Sequence, residues 1–93
     1  MKIVADLSLY PLKNAPVPDI IAFIEALQEQ GDIEIVTNQL STQLRGDYES
    51  VTGAINGCMR RVMEASGNTV VLVVKYLNVD LEIGRTPSLT PDR

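Results

Sequence analysis

Between residues 2 and 10 apolar side chains recur at every second position. Ile3, Ala5, Leu7 and Leu9 fall on one face of an extended chain and Val4, Asp6, Ser8 and Tyr10 on the other, which predicts a strand. Pro11 removes a donor, and Lys13-Asn14-Ala15-Pro16-Val17-Pro18 reads as a loop. The period then changes. Ile20, Ile21, Phe23, Ile24 and Leu27 form one broad stripe of a helix over 17–30, with Pro18 in its first turn and Gly31 as its expected C-terminal cap. Two short β runs follow, 33–37 and 39–45, the second setting Leu40, Thr42 and Leu44 opposite Ser41, Gln43 and Arg45. A second helix spans about 48–65, with Asp47 as expected N-cap and Val51, Ile55, Cys58, Val62 and Ala65 on one stripe.

The last element is an apolar run over 69–83, about 50 Å long as one straight strand at ~3.3 Å per residue. A folded chain of this length is roughly 30 Å across, so the run must bend or its second half must pair with a neighbouring chain. The tail from Gly84, with Pro87 and Pro91, is expected to fray. The order is βαββαβ: an α+β, ferredoxin-like domain over residues 1–83, a four-stranded antiparallel sheet with two helices on one face. The first and third strands are central, and the other face is bare.

Composition narrows the function. Of the 93 residues, 45% are hydrophobic and 22% charged, which suits one globular domain. The net charge of −4, with eight scattered Lys and Arg, offers no basic patch for nucleic acid. No stretch has the length of a membrane span, and Asp6 interrupts the first apolar run, so no signal peptide is read there. One cysteine, Cys58, permits no internal disulfide and points to a reducing cytoplasm. There is no histidine, hence neither the commonest general base nor the commonest metal ligand. No metal-ligand spacing or phosphate loop appears, so no cofactor and no enzymatic activity are expected. An acylphosphatase-type enzyme shares the topology but needs a basic loop, and Leu12-Lys13-Asn14-Ala15-Pro16 supplies one cation.

What stands out is polar matter inside strands. Asp6, Ser8 and Tyr10 alternate on the first strand, and Ser41, Gln43 and Arg45 on the third, which reads as the solvated face of a one-sided sheet or, alternatively, as a shelf of directed hydrogen-bond groups. Thr42, on the helix side, needs a partner among Leu40 and Leu44, either its own backbone or a ligand. Gly53 and Gly57, four apart on the second helix, each cost roughly 1 kcal/mol against Ala. They suggest close approach to a sheet, a helix or a flat ligand.

Ser8-Leu9-Tyr10-Pro11-Leu12 and Leu40-Ser41-Thr42-Gln43-Leu44-Arg45-Gly46-Asp47 together resemble the YkoF-like family of thiamine- and hydroxymethylpyrimidine-binding proteins, over about residues 2–80. The resemblance implies a ferredoxin-like fold and a ligand site at Ser8, Tyr10, Ser41, Thr42 and Arg45, holding thiamine or its pyrimidine precursor. The best-known members carry two such domains per chain, so this single domain implies a homodimer or homotetramer. The expected pocket lies by strands one and three and is closed by the second helix. The competing expectation is an oligomeric regulatory or interaction subunit without a small ligand.

Overall fold

Strand formation follows the alternating segments closely. In a computed structural model, which describes residues 1–86, the elements run β1 (Lys2–Pro11), α1 (Val17–Gln28), β2 (Ile33–Thr37), β3 (Thr42–Asp47), α2 (Tyr48–Ala65) and β4 (Val70–Leu77). The four strands form one antiparallel sheet in the order β2-β3-β1-β4. The two most polar strands are thus its centre, as the βαββαβ reading requires.

One face of the sheet carries the core. Ile3, Ala5, Leu7, Leu9 and Leu44 pack with Phe23, Ala26 and Leu27 of α1 and Val51, Ala54, Ile55 and Cys58 of α2. Both helices therefore bury their stripes on the same side, where the apolar area removed from water drives folding. Gly46 belongs to this packing. A Cβ there would lie 3.2 Å from the Asp32 carbonyl oxygen and 3.2 Å from Ile33 Cγ2, so β3 meets its neighbours closely at a position without a side chain.

Several boundaries differ from the sequence expectation. The third strand begins at Thr42, not at residue 39, and Leu40 sits 89% exposed in the β2–β3 turn. The reason is the Asn38 side chain, whose Oδ1 accepts the N–H groups of Leu40 (2.8 Å) and Ser41 (3.1 Å) and turns the chain early. The first helix ends with Glu29 as its C-cap, so Gly31 is not the cap. Asp47 occupies the N-cap of α2 but makes no side-chain cap bond there; its carboxylate lies 3.5 Å from Lys2 Nζ instead.

The 69–83 run resolves by bending. β4 stops at Leu77, and the following residues fold back over the open face of the sheet instead of continuing as a strand. Arg45 Nε donates to Asp80 Oδ1 at 2.7 Å, and Gly84 lies against Glu34 and Val36 of β2. This strap passes over Val4, the pair partner of both Arg45 and Leu77, which is only 4% exposed although it faces away from the helices. The open face is therefore covered at the Val4–Arg45 end, while Tyr10, Val71 and Val73 at the other end stay exposed. Residues 87–93, the rest of the expected frayed tail, lie outside the described residues.

Gly53 and Gly57 do not mark a close approach within the protomer. Both are exposed on the outer side of α2, and a Cβ at either would meet nothing within 4 Å.

Candidate functional site

β1 is longer than the strand it pairs with. Its ladder with β3 ends at Leu7 opposite Thr42, while its ladder with β4 continues to Pro11 opposite Val70. Residues 8–10 therefore form one wall of a notch in the sheet. The Asn38–Ser41 turn forms the second wall, and Ile20, Phe23 and Ile24 of α1 form the third. The cleft encloses about 250 Å³.

Four of the five predicted site residues meet here. Ser8, Tyr10, Ser41 and Thr42 all line the cleft, and Thr37, Asn38 and Gln39 join them. Tyr10 is 52% exposed, whereas Thr42 is buried against the core. The helix that closes the cleft is α1 rather than α2, correcting the expectation built on the α2 glycines. Arg45 is not part of it. Its side chain lies at the other end of β3, 3.2 Å from Glu34 Oε1 and 2.7 Å from Asp80 Oδ1. The hydrogen bonds to Asp80 and then Glu34 hold the guanidinium firmly charged, and the reciprocal bond from Arg45 lowers the Asp80 carboxyl below its ordinary range.

The polar groups of the cleft are partly engaged. Thr42 Oγ1 and Thr37 Oγ1 are 3.0 Å apart, so Thr42 finds its partner across the β2–β3 ladder. Two hydroxyls hold two protons, and only one is consumed between them, so the pair keeps a donor to offer. Ser41 Oγ accepts from Gln43 Nε2 at 2.6 Å, and that amide also donates to Asp6 Oδ1 at 3.1 Å. The shelf expected from the alternation therefore exists as an Asp6–Gln43–Ser41 chain, leaving the Ser41 proton free to point elsewhere. Ser8 Oγ lies 3.4 Å from the Leu40 carbonyl, a long contact that is readily exchanged for a better one.

None of the lining residues carries a formal charge at neutral pH. The cleft offers apolar walls and neutral donors and acceptors, the makeup of a small-molecule site. A second hollow of about 200 Å³ lies between the helices beside Phe23, Ala26, Cys58 and Arg61 and contains none of the predicted residues. Burial raises the Cys58 thiol above its ordinary value, with Arg61 opposing in part, so it behaves as a packed core residue. Among the described residues no cluster of His, Cys, Asp and Glu is placed to hold a metal ion, and no helix is long and apolar enough to cross a membrane.

The sequence reading missed Thr37, Asn38 and the α1 wall. The signal for the first two was present: an Asn followed two and three residues later by free N–H groups is an Asx turn, and closing the hairpin there places Thr37 opposite Thr42.

No family model matches the chain, and no curated protein matches it in sequence. Solved structures share its fold. A hypothetical protein from Methanocaldococcus jannaschii superposes with a TM-score of 0.71 at 23% identity, covering 95% of this chain and 88% of the other. A domain of unknown function, DUF77, from Bacillus cereus gives 0.74 at 15% identity over 89% and 84%. A Thermotoga maritima protein provisionally named for thiamine biosynthesis or salvage gives 0.72 at 16% identity over 94% and 90%. At these identities the likeness is one of fold.

Proposed function

We propose that this domain binds thiamine, or the hydroxymethylpyrimidine part of it, and performs no chemistry on it. The observation that carries the reading is the meeting of Ser8, Tyr10, Ser41 and Thr42 from separate segments in one uncharged cleft. An aminopyrimidine is flat, with two apolar faces and in-plane nitrogens that need partners. Tyr10 and Phe23 supply apolar surface, and the hydroxyls of Ser8, Ser41 and the Thr37–Thr42 pair donate or accept as the ring requires. The lining has no acid or base beyond the Tyr10 phenol, which supports binding over catalysis. The name of the Thermotoga maritima fold neighbour points the same way.

The test is calorimetric titration of the wild type and Thr42→Val with thiamine and with hydroxymethylpyrimidine. The wild type is expected to bind at least one of them. Thr42→Val keeps the shape of the side chain and removes a hydroxyl, so affinity falls about five- to hundred-fold for roughly 1–3 kcal/mol of unpaired ligand group. Absence of binding to either compound at millimolar concentration rejects the vitamin reading.

The alternative of an interaction subunit is favoured by one observation. β4 is an edge strand without proline, and Val71 and Val73 on its open face are 40% and 45% exposed. Such an edge is a template for a further strand. Self-association through β4 is compatible with ligand binding, since the cleft lies on the β3 side of β1 and β4 on the other. We therefore place a homodimer, built edge to edge, alongside the binding role.

A further inference from the structure

In an antiparallel sheet each residue sends its N–H and C=O to the same side, and successive residues alternate. Two bonds set the phase of β1. The Leu12 N–H donates to the Thr69 carbonyl on the β4 side (2.9 Å), and the Met1 carbonyl accepts from the Tyr48 N–H on the β3 side (2.9 Å). Even-numbered residues of β1 therefore address β4, and odd-numbered ones address β3. The Asn38 N–H, donating to the Ser41 carbonyl at 3.0 Å, gives the same phase independently, since it turns the odd residues of β3 to β2 and Thr42 and Leu44 to β1.

Leu9 is the next odd residue after the last β1–β3 pair, Leu7 with Thr42. In a continued ladder it would meet Leu40. The Leu40 N–H is taken by Asn38 Oδ1, however, and the Leu40 carbonyl faces Ser8 Oγ. The main-chain N–H and C=O of Leu9 thus both point into the cleft, and neither has a partner among the described residues. The residue is 7% exposed, so the cleft is the one route by which a partner reaches these two groups.

We propose that this orphan pair is the recognition element of the cleft, and that it reads a flat ligand whose edge sets an acceptor beside a donor. The ring nitrogen and adjacent exocyclic amine of a 4-aminopyrimidine present that edge, imitating the single strand residue that Leu40 fails to supply. The inference deepens the binding role proposed above and rests on it. An added peptide strand fits the slot poorly. Beyond Leu9 the next odd residue is Pro11, which has no N–H and whose carbonyl already accepts from the Lys13 N–H at 3.1 Å. One residue's worth of hydrogen bonds is too little to hold a strand and enough to orient a ring. The side-chain hydroxyls then read the substituents, while the backbone reads the ring.

The test follows the Leu9 amide by NMR on the intact chain, with hydroxymethylpyrimidine as probe. In the free protein Leu9 should exchange its amide proton at least tenfold faster than Ser8 and Tyr10, which lie in the β1–β4 ladder. Saturating pyrimidine should slow it at least tenfold and move its resonance downfield. A variant carrying an ester oxygen in place of the Leu9 N–H, with the leucine side chain kept, should bind five- to hundred-fold more weakly. If the wild type binds the pyrimidine while the Leu9 amide is unmoved, or the ester variant binds as tightly, the inference falls and the binding role stands. Slow exchange at Leu9 in the free protein also overturns it, because the N–H would already be bonded. Failure of the wild type to bind any aminopyrimidine removes both. Should the ester variant not fold, the exchange measurement alone decides.

Discussion

Replacing Gly53 and Gly57 by alanine should stabilise this domain. Both lie inside α2, where glycine is about 0.8–1.0 kcal/mol less favourable than alanine because the unfolded chain gives up more freedom. Neither residue has a positive φ, and an added methyl would meet nothing within 4 Å at either. No strain or clash offsets the gain, so each substitution is worth close to the full amount and the pair about 1.6–2 kcal/mol. In urea, with an m-value of about 1 kcal/mol/M for a small domain, each should raise the midpoint by roughly 0.8–1 M. The melting temperature should rise by about 4–8 °C per kcal/mol. Gly46→Ala is the matched control of opposite sign. Its methyl would sit 3.2 Å from both the Asp32 carbonyl oxygen and Ile33 Cγ2, tight contacts to the backbone and to a packed side chain of β2 that must give for it to fit. A loss of about 1–3 kcal/mol is expected. The assay is urea unfolding at two protein concentrations a hundredfold apart. If Gly53→Ala or Gly57→Ala destabilises the protein, the reasoning fails at a definite point: the outer face of α2 is then not solvated but packed closely against another molecule, and the loss should depend on concentration.

The remaining predictions concern the strap and the edge. The Asp80 carboxyl is depressed mainly by its hydrogen bond from Arg45, so its contribution is present above the unfolded carboxylate range and is lost as pH falls through the lowered native value. The backbone NMR resonances of 81–85 should therefore move toward their unfolded positions in the wild type as pH falls below the ordinary carboxylate range, and already at pH 7 in Asp80→Asn, while those of β1 stay in place; unmoved 81–85 resonances in Asp80→Asn at pH 7 would remove Arg45–Asp80 as the tether. Sedimentation equilibrium at micromolar concentration should show a dimer, and Val73→Lys, which puts a charge on the open face of β4, should shift it to monomer. A wild-type monomer under those conditions would exclude the edge-to-edge assembly.

Much of the architecture was legible in the residues because it depends on short-range periodicity. The two-residue alternation of β1 and the helical stripes that run through Leu27 and Cys58 specify which face each element buries. A chain with two such helices and four such strands has few ways to cover them. The central placement of β1 and β3, and the helix-side orientation of Thr42, follow from the same patterns. Ser8, Tyr10, Ser41 and Thr42 were legible as polar interruptions of apolar strands, reinforced by the family resemblance.

What only the tertiary structure decided are the places where a strand ends. Strand length depends on which N–H groups find better partners, and here the Asn38 side chain outbids the ladder for Leu40 and Ser41. That local competition removes three residues from β3, opens the notch beside Leu9 and makes α1 its lid. The apolar run after Val70 gives no sign of where it will turn. Its end is set by an ion pair between Asp80 and Arg45, 35 residues apart in sequence, which no local pattern encodes. Arg45, three residues along β3 from Thr42, faces that ion pair and not the cleft that the other four residues share. Periodicity determines the faces of the elements, and long-range competition for hydrogen bonds and charge determines their ends; this site is built from ends.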